Sequence, residues 1–215
     1  MYPANITRAE AQARAELLST SSYQVTVDLT GSATTFTSTS TIVFSSGAGS
    51  TFVDLIADSI VEATLDDAPL DFSAYNGERV PLDLTIGDHV LAITAVCRYS
   101  NTGEGLHRFV DPVDERIYCY TQLEVADARR VYACFEQPDL KATFAFSVIA
   151  PAHWTVLSNS PEVEPLVAGQ LGRWEFTPTP PISTYITALI AGDYHTVRRT
   201  HQVRDSVIPL SLSCR

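Results

Sequence analysis

The side chains best suited to metal or nucleophilic chemistry are scattered through this 215-residue sequence. No two histidines lie four residues apart and no cysteines form a C-x-x-C pair, so the usual zinc and redox spacings are absent. There is likewise no HExxH, no glycine-rich phosphate loop and no Gly-x-Ser-x-Gly nucleophile elbow. The residues concerned are His89, His107, His153, His195, His201, Cys97, Cys119, Cys134 and Cys214. They predict surface histidines and small buried thiols, with no catalytic centre and no metal site in this chain.

One stretch, residues 116–125, combines aromatic and polar side chains in a way that could bind a ligand. If it is a strand, alternate side chains point to opposite faces of the sheet. One face carries Tyr118, Tyr120, Gln122 and Glu124. The other carries Cys119, Thr121, Leu123 and Val125. A polar and aromatic face opposite an apolar one fits either a binding surface or an ordinary solvated strand, and the pattern alone leaves both open.

The elements that position this stretch are predicted to be almost entirely β-strands. Thr7 and Glu10 form a capping box that starts one helix of about three turns, ending near Leu18. After it, hydrophobic residues alternate with polar ones and turn residues bound each run. The predicted strands cover residues 22–30, 34–44, 51–57, 60–65, 80–86, 89–99, 116–125, 141–150, 154–158, 172–177, 184–191 and 208–215. We therefore expect an all-β fold, an antiparallel layered or saddle-like β-sandwich with one short N-terminal helix.

Composition and charge restrict the class of protein. With 45% hydrophobic and 18% charged residues the chain should fold, and no linker divides it, so we predict a helical segment at 1–20 and one antiparallel β domain at 21–215. The net charge of −11 argues against nucleic acid and anionic membrane as partners.

The sequence also bears on cellular location. No apolar run reaches 18 residues, and no export signal is visible. The scattered cysteines predict reduced thiols and favour a cytoplasmic location. The strand-like ending predicts a piece of a longer protein.

Several motifs, in order, resemble the N-terminal β domain of zinc aminopeptidases of the aminopeptidase N (gluzincin) type. Thr121-Gln122-Leu123-Glu124 resembles the Thr-Gln-x-Glu segment of that family, and Asp127-Ala128-Arg129-Arg130 and the run 133–138 resemble the motifs that follow it. Gly105-Leu106-His107-Arg108, Leu157-Ser158-Asn159 and residues 183–194 add further matches. Ala133 and Glu136-Gln137 depart from the common Pro and Asp-Glu. The Gly-x-Met-Glu-Asn and HExxH motifs of the family do not occur in the chain.

The resemblance implies specific roles. Glu124 would hold the α-ammonium group of a peptide substrate, and Gln122 would line the pocket for its first side chain. Zinc would be held by the catalytic domain of the same parent chain and not by these 215 residues, so the chain alone is expected to be inactive. The implied partners are the N-terminus of a peptide substrate and that catalytic domain, with no nucleic acid and no membrane.

Other interpretations remain at this stage. The chain could be a non-catalytic β-sandwich binding module of a larger, secreted protein, with Tyr118, Tyr120, Trp154 and Trp174 as platforms. It could also come from an enzyme of the same family that has lost peptide cleavage. For individual residues the simpler predictions are an internal salt bridge between Asp127 and the pair Arg129-Arg130, a loop-ordering role for Glu136, and core positions for both tryptophans.

Overall fold

The N-terminal helix begins where the sequence predicts. In the computed structural model, which describes residues 5–204 and 206–215, α1 spans Arg8–Leu17. The Thr7 hydroxyl accepts the Glu10 N–H at 3.2 Å, and the Glu10 carboxylate accepts the Thr7 N–H at 2.8 Å, which completes the capping box. The backbone becomes extended at Leu18. No helix in the described part of the chain has the length and apolar character needed to cross a membrane.

Alternating residues form strands through the rest of the described chain. In the first strand Tyr23, Val25 and Val27 are buried, and the residues between them are more exposed. Residues 5–204 and 206–215 form sixteen strands: β1 (Leu18–Asp28), β2 (Thr35–Ser46), β3 (Gly49–Asp54), β4 (Ser59–Leu65), β5 (Ala68–Pro69), β6 (Arg79–Leu84), β7 (Gly87–Arg98), β8 (Gly105–Val110), β9 (Ile117–Gln122), β10 (Thr143–Pro151), β11 (Thr155–Ser158), β12 (Leu166–Ala168), β13 (Leu171–Glu175), β14 (Leu189–Gly192), β15 (His195–Val203) and β16 (Ser206–Cys214).

The strands form two main sheets and two hairpin-like ribbons. The large sheet has eight strands in the order β12-β13-β10-β1-β2-β7-β4-β5, and the smaller one has four in the order β11-β14-β9-β8. The ribbons pair β3 with β6 and β15 with β16. This arrangement confirms the predicted all-β layered class. One feature departs from the expected antiparallel pattern, because β1 and β10 pair in parallel, with Ser22 opposite Thr143 and Asp28 opposite Ile149.

Aromatic residues fill the interior between the strands. The ring of Tyr23 stacks on that of Phe144 with centroids 4.6 Å apart, and Tyr132 meets Phe146 edge-on at 5.9 Å. Trp154 and Trp174 are both buried, as predicted. The core therefore joins residues of β1 and β10, which are more than a hundred positions apart in sequence.

Several predicted boundaries are wrong. Residues 184–191 were expected to be a strand, but Thr184–Ile186 form a short 3-10 turn and β14 begins only at Leu189. The sequence analysis does not predict the strands β5, β8, β12 and β15. The proposed division at residue 20 stays a prediction: β1 already begins at Leu18, and residues 1–4 of the predicted helical segment lie outside the described residues.

The cysteines give a direct test of this packing. All four are free thiols; Cys97, Cys119 and Cys134 are buried, and Cys214 is exposed. Burial raises the pKa of the Cys97 and Cys119 thiols to about 12. At pH 8 the reactive thiolate form is therefore only about 10⁻⁴ of each thiol. We expect an Ellman titration at pH 8 to detect one fast-reacting thiol in the native chain and four in guanidinium chloride. Fewer than four in denaturant would contradict the unpaired assignment.

Candidate functional site

The predicted binding strand ends earlier than the sequence suggested. β9 stops at Gln122, so Glu124 lies in the turn that follows and not on the strand face. Along β9, Tyr118 is only 4% exposed, whereas Tyr120 is 40% exposed and Gln122 also reaches solvent. Tyr118, Tyr120 and Gln122 do share one face of β9, although Tyr118 is covered, and the prediction of a common strand face is wrong only for Glu124.

The turn after β9 presents Glu124 to solvent. Leu123 is buried and its carbonyl oxygen accepts the Asp127 N–H at 3.1 Å, which closes the turn. The Glu124 N–H donates to Oε1 of Gln122 at 2.8 Å. This is the only hydrogen bond of Glu124 within residues 5–204 and 206–215, so over that range its exposed carboxylate is not neutralised by the chain itself. Gln122 and Glu124 are thus brought together, as the sequence predicted, but by a turn.

Asp127 and Arg130 hold the far end of this turn. Arg130 Nε donates to the Asp127 carboxylate at 2.6 Å, and its guanidinium also lies 3.3 Å from Glu104. This agrees with the predicted internal salt bridge for Arg130. Gly105, opposite Gln122 in β8, has φ +62°, and a Cβ there would lie 2.9 Å from Cβ of Arg130. Only glycine fits both the left-handed backbone and the close approach.

Arg129 behaves differently from its neighbour. It is buried, and its Nε donates to the carbonyl oxygen of Ala126 at 3.0 Å, on the same turn as Glu124. A second guanidinium nitrogen lies 3.4 Å from the side-chain oxygen of Asn5. The prediction of a salt bridge from Arg129 to Asp127 is wrong, because the guanidinium group binds backbone and amide oxygens instead.

Glu136 lies beneath the same turn. Its carboxylate accepts the Arg129 N–H at 2.9 Å and the hydroxyl of Thr184. Burial raises the pKa of Glu136, while these two hydrogen bonds lower it and oppose that effect. The predicted loop-ordering role agrees with these contacts. Burial also raises the pKa of the neighbouring Cys134 thiol, with Glu136 adding to the effect, so Cys134 is not an activated nucleophile.

One aromatic contact beside the turn was missed by the sequence analysis. His107 in β8 lies opposite Tyr120 in β9, with ring centroids 4.8 Å apart. Its Nδ1 is buried and has no hydrogen-bond partner in the described structure. His107 was expected to be a surface or turn residue, because the strand that contains it was not predicted. Residues 105–110 do not alternate between apolar and polar side chains, so the sequence gives no strand signal there.

The aromatic platform of the alternative module does not form. Tyr118, Trp154 and Trp174 are all buried, so only Tyr120 of the four candidates is exposed. The described residues also contain no group of three or more His, Cys, Asp or Glu side chains able to hold a metal ion. The groups that the turn exposes are the carboxylate of Glu124 and the side-chain amide of Gln122, which can form electrostatic and hydrogen-bonding contacts.

This all-β domain carries Thr-Gln-x-Glu at the end of a strand, and comparison with known proteins identifies its class. Residues 19–186 match the Peptidase M1 N-terminal domain, and the chain belongs to this family. It is 50% identical to aminopeptidase N of Streptomyces lividans over 217 aligned residues, which cover 98% of this chain and 25% of that protein. Aminopeptidase N of Acetobacter pasteurianus is 33% identical over 70% of this chain and 43% of that protein.

A plant relative extends the comparison. Aminopeptidase M1-A of rice is 34% identical over 51% of this chain and 13% of that protein. The chain thus spans about a quarter of the length of the Streptomyces relative and less than half of the others. The family resemblance predicted from the motifs is confirmed, whereas the substrate roles of Glu124 and Gln122 stay predictions.

Proposed function

We propose that this chain is the substrate-facing N-terminal domain of a zinc-dependent aminopeptidase and that Glu124 binds the α-ammonium group of the peptide substrate. The observation that carries the proposal is the Glu124 carboxylate itself, which is exposed, has no neutralising partner in the described residues, and sits on a turn fixed at both ends. The family match supports the domain assignment, and the names of the relatives support the reaction class.

The charge on Glu124 suits this task. At near-neutral pH, where a carboxylate side chain carries a negative charge, a peptide α-amine with a pKa near 8 is largely protonated. At about 4 Å and an effective dielectric of about 20, their attraction is roughly 4 kcal/mol before desolvation. A net contribution of about 2 to 3 kcal/mol is typical for a charge-assisted hydrogen bond. Such a contact selects substrates with a free terminus.

Gln122 would act beside Glu124. Its Oε1 accepts the Glu124 N–H, so the amide orientation follows from that hydrogen bond and leaves the NH₂ group available to a ligand. An exposed amide at this position can line the pocket for the first side chain of the substrate. It also restrains the backbone of the residue that binds the ammonium group.

The catalytic domain of the same parent chain is the proposed partner, and it would supply the zinc. The ribbon of β15 and β16 supports an interface with that domain, because one of its faces exposes several apolar side chains. These are Val197, Ile208, Leu210 and Leu212. A two-stranded ribbon with an uncovered apolar face is stable only marginally by itself. We further propose a cytoplasmic location, supported by the free thiols of all four cysteines.

The assay uses the full-length parent protein with an aminoacyl-anilide and its N-acetyl counterpart. We expect cleavage of the free-amine substrate and at least a tenfold slower reaction of the acetylated one, because acetylation removes the ammonium charge. The matched control is the 215-residue chain alone with added zinc, for which no turnover is expected. Equal cleavage of both substrates, or no cleavage by the parent, would overturn the proposal. Chelator-sensitive turnover by the short chain would overturn its assignment as a domain without the zinc site.

A further inference from the structure

A buried arginine lies directly behind the turn that carries Glu124. Arg129 is 5% exposed, and its Nε donates to the Ala126 carbonyl at 3.0 Å. Ala126 is two residues beyond Glu124, inside the turn closed by the hydrogen bond from Asp127 to Leu123. The guanidinium group therefore fixes the backbone of this turn from the protein side, while Glu124 faces solvent on the other.

Arg129 is itself held in place from two directions. The backbone N–H of Arg129 donates to the buried Glu136 carboxylate at 2.9 Å, and the backbone carbonyl oxygen of Arg129 accepts the Ile56 N–H at 2.7 Å. Glu136 is in turn fixed by Thr184 and, through its own N–H, by Asp54 at 3.0 Å. These supports come from distant parts of the chain, so they tie the backbone of Arg129 to the core independently of the 123–127 turn.

We infer that Arg129 is a positioning residue for substrate binding, which sets the place of the Glu124 carboxylate through its hydrogen bond to the Ala126 carbonyl. The inference rests on the proposed function of Glu124 and deepens it. A carboxylate that is displaced by about 1 Å no longer meets an ammonium group at hydrogen-bond distance. Arg129 itself does not contact the substrate in this proposal. Loss of its guanidinium group should nevertheless weaken recognition of the substrate amine, because the Glu124 carboxylate is displaced.

The test compares two ligands that the proposed activity of the full-length parent does not cleave, leucine and N-acetyl-leucine, by isothermal titration calorimetry. The dissociation constant of N-acetyl-leucine divided by that of leucine measures recognition of the amine. We expect Arg129→Gln to lower this ratio about tenfold, the size of one hydrogen bond to a charged group, and Arg129→Lys to give an intermediate loss. The lysine variant keeps the buried charge and remains informative if the glutamine variant does not fold.

The control is Arg173→Gln. Arg173 lies on β13, pairs with Glu175 at 2.8 Å and has no hydrogen bond to the 123–127 turn or to Glu136, so the loss of its charge should leave the ratio unchanged. A double-mutant cycle completes the design. In a Glu124→Gln background, adding Arg129→Gln should change the ratio less than twofold, because the two residues act through one contact.

The outcomes separate the two proposals. If Glu124→Gln leaves the ratio of the parent protein unchanged, the proposed function of Glu124 fails. If Glu124→Gln collapses the ratio while both Arg129 variants keep the wild-type value, only the positioning role fails. A full tenfold effect of Arg129→Gln in the Glu124→Gln background, or an equal effect of Arg173→Gln, would also overturn the positioning role, because the loss would then not act through Glu124.

Discussion

Replacing Glu124 by glutamine in the full-length parent is expected to lower kcat/KM for an aminoacyl-anilide about 30- to 150-fold. The substitution keeps the size of the side chain and removes its charge, and the corresponding loss is about 2 to 3 kcal/mol of binding to the ammonium group. Because the ammonium is present both in the bound substrate and in the transition state, part of the loss should appear as a higher KM. Steady-state kinetics at pH 7 measures both constants.

Glu16→Gln provides the matched control for this experiment. Glu16 is exposed on α1 and, among the described residues, its side chain makes one i,i+4 hydrogen bond, with Gln12 at 3.3 Å. Its substitution changes the net charge by the same amount. Its kcat/KM should remain within about twofold of the wild-type value, since a solvated charge far from the substrate is screened. Kinetics of Glu124→Gln indistinguishable from those of Glu16→Gln would remove Glu124 from the substrate site.

Features governed by local chemistry could be predicted from the sequence. The capping box at Thr7 needs only residues three positions apart, and the alternation around Tyr23 depends only on which side chains face the core. The Thr-Gln-x-Glu spacing likewise placed Gln122 and Glu124 beside each other. These predictions succeeded because the determining interactions span a few residues.

Features fixed by distant residues could not be read in the same way. The strand before Glu124 ends at Gln122 because Leu123 turns into the core and Arg129 holds the turn, with Glu136 and Thr184 behind it. The parallel pairing of β1 with β10 is equally non-local. In β15 polar residues occupy both faces, so the sequence shows no clear alternation there. The segment is recognised as a strand only from its backbone pairing with β16.

The largest effect on stability is expected from Asp54→Ala. The Asp54 carboxylate accepts a hydrogen bond from the Arg14 guanidinium at 2.8 Å, with side chains only 2% and 1% exposed, and it also accepts the Glu136 N–H. Removing it leaves a buried guanidinium without its anion and a buried N–H without its acceptor. Breaking such a buried pair typically costs about 3 to 5 kcal/mol. Urea denaturation of the 215-residue chain, followed by the fluorescence of the buried Trp154 and Trp174, measures the loss.

Asp58→Ala shows why burial, and not charge, determines this cost. Asp58 also pairs with an arginine, Arg98, but the two side chains are 31% and 72% exposed, so water compensates for the lost contact. The same substitution there should reduce the free energy of unfolding by about 1 kcal/mol or less. If both variants lose similar stability, the Asp54 pair does not hold α1 and the loop around Glu136 to the sheets. A large loss at Asp54 alone would show that this buried cluster, which contacts Arg129 through Glu136, stabilises the fold.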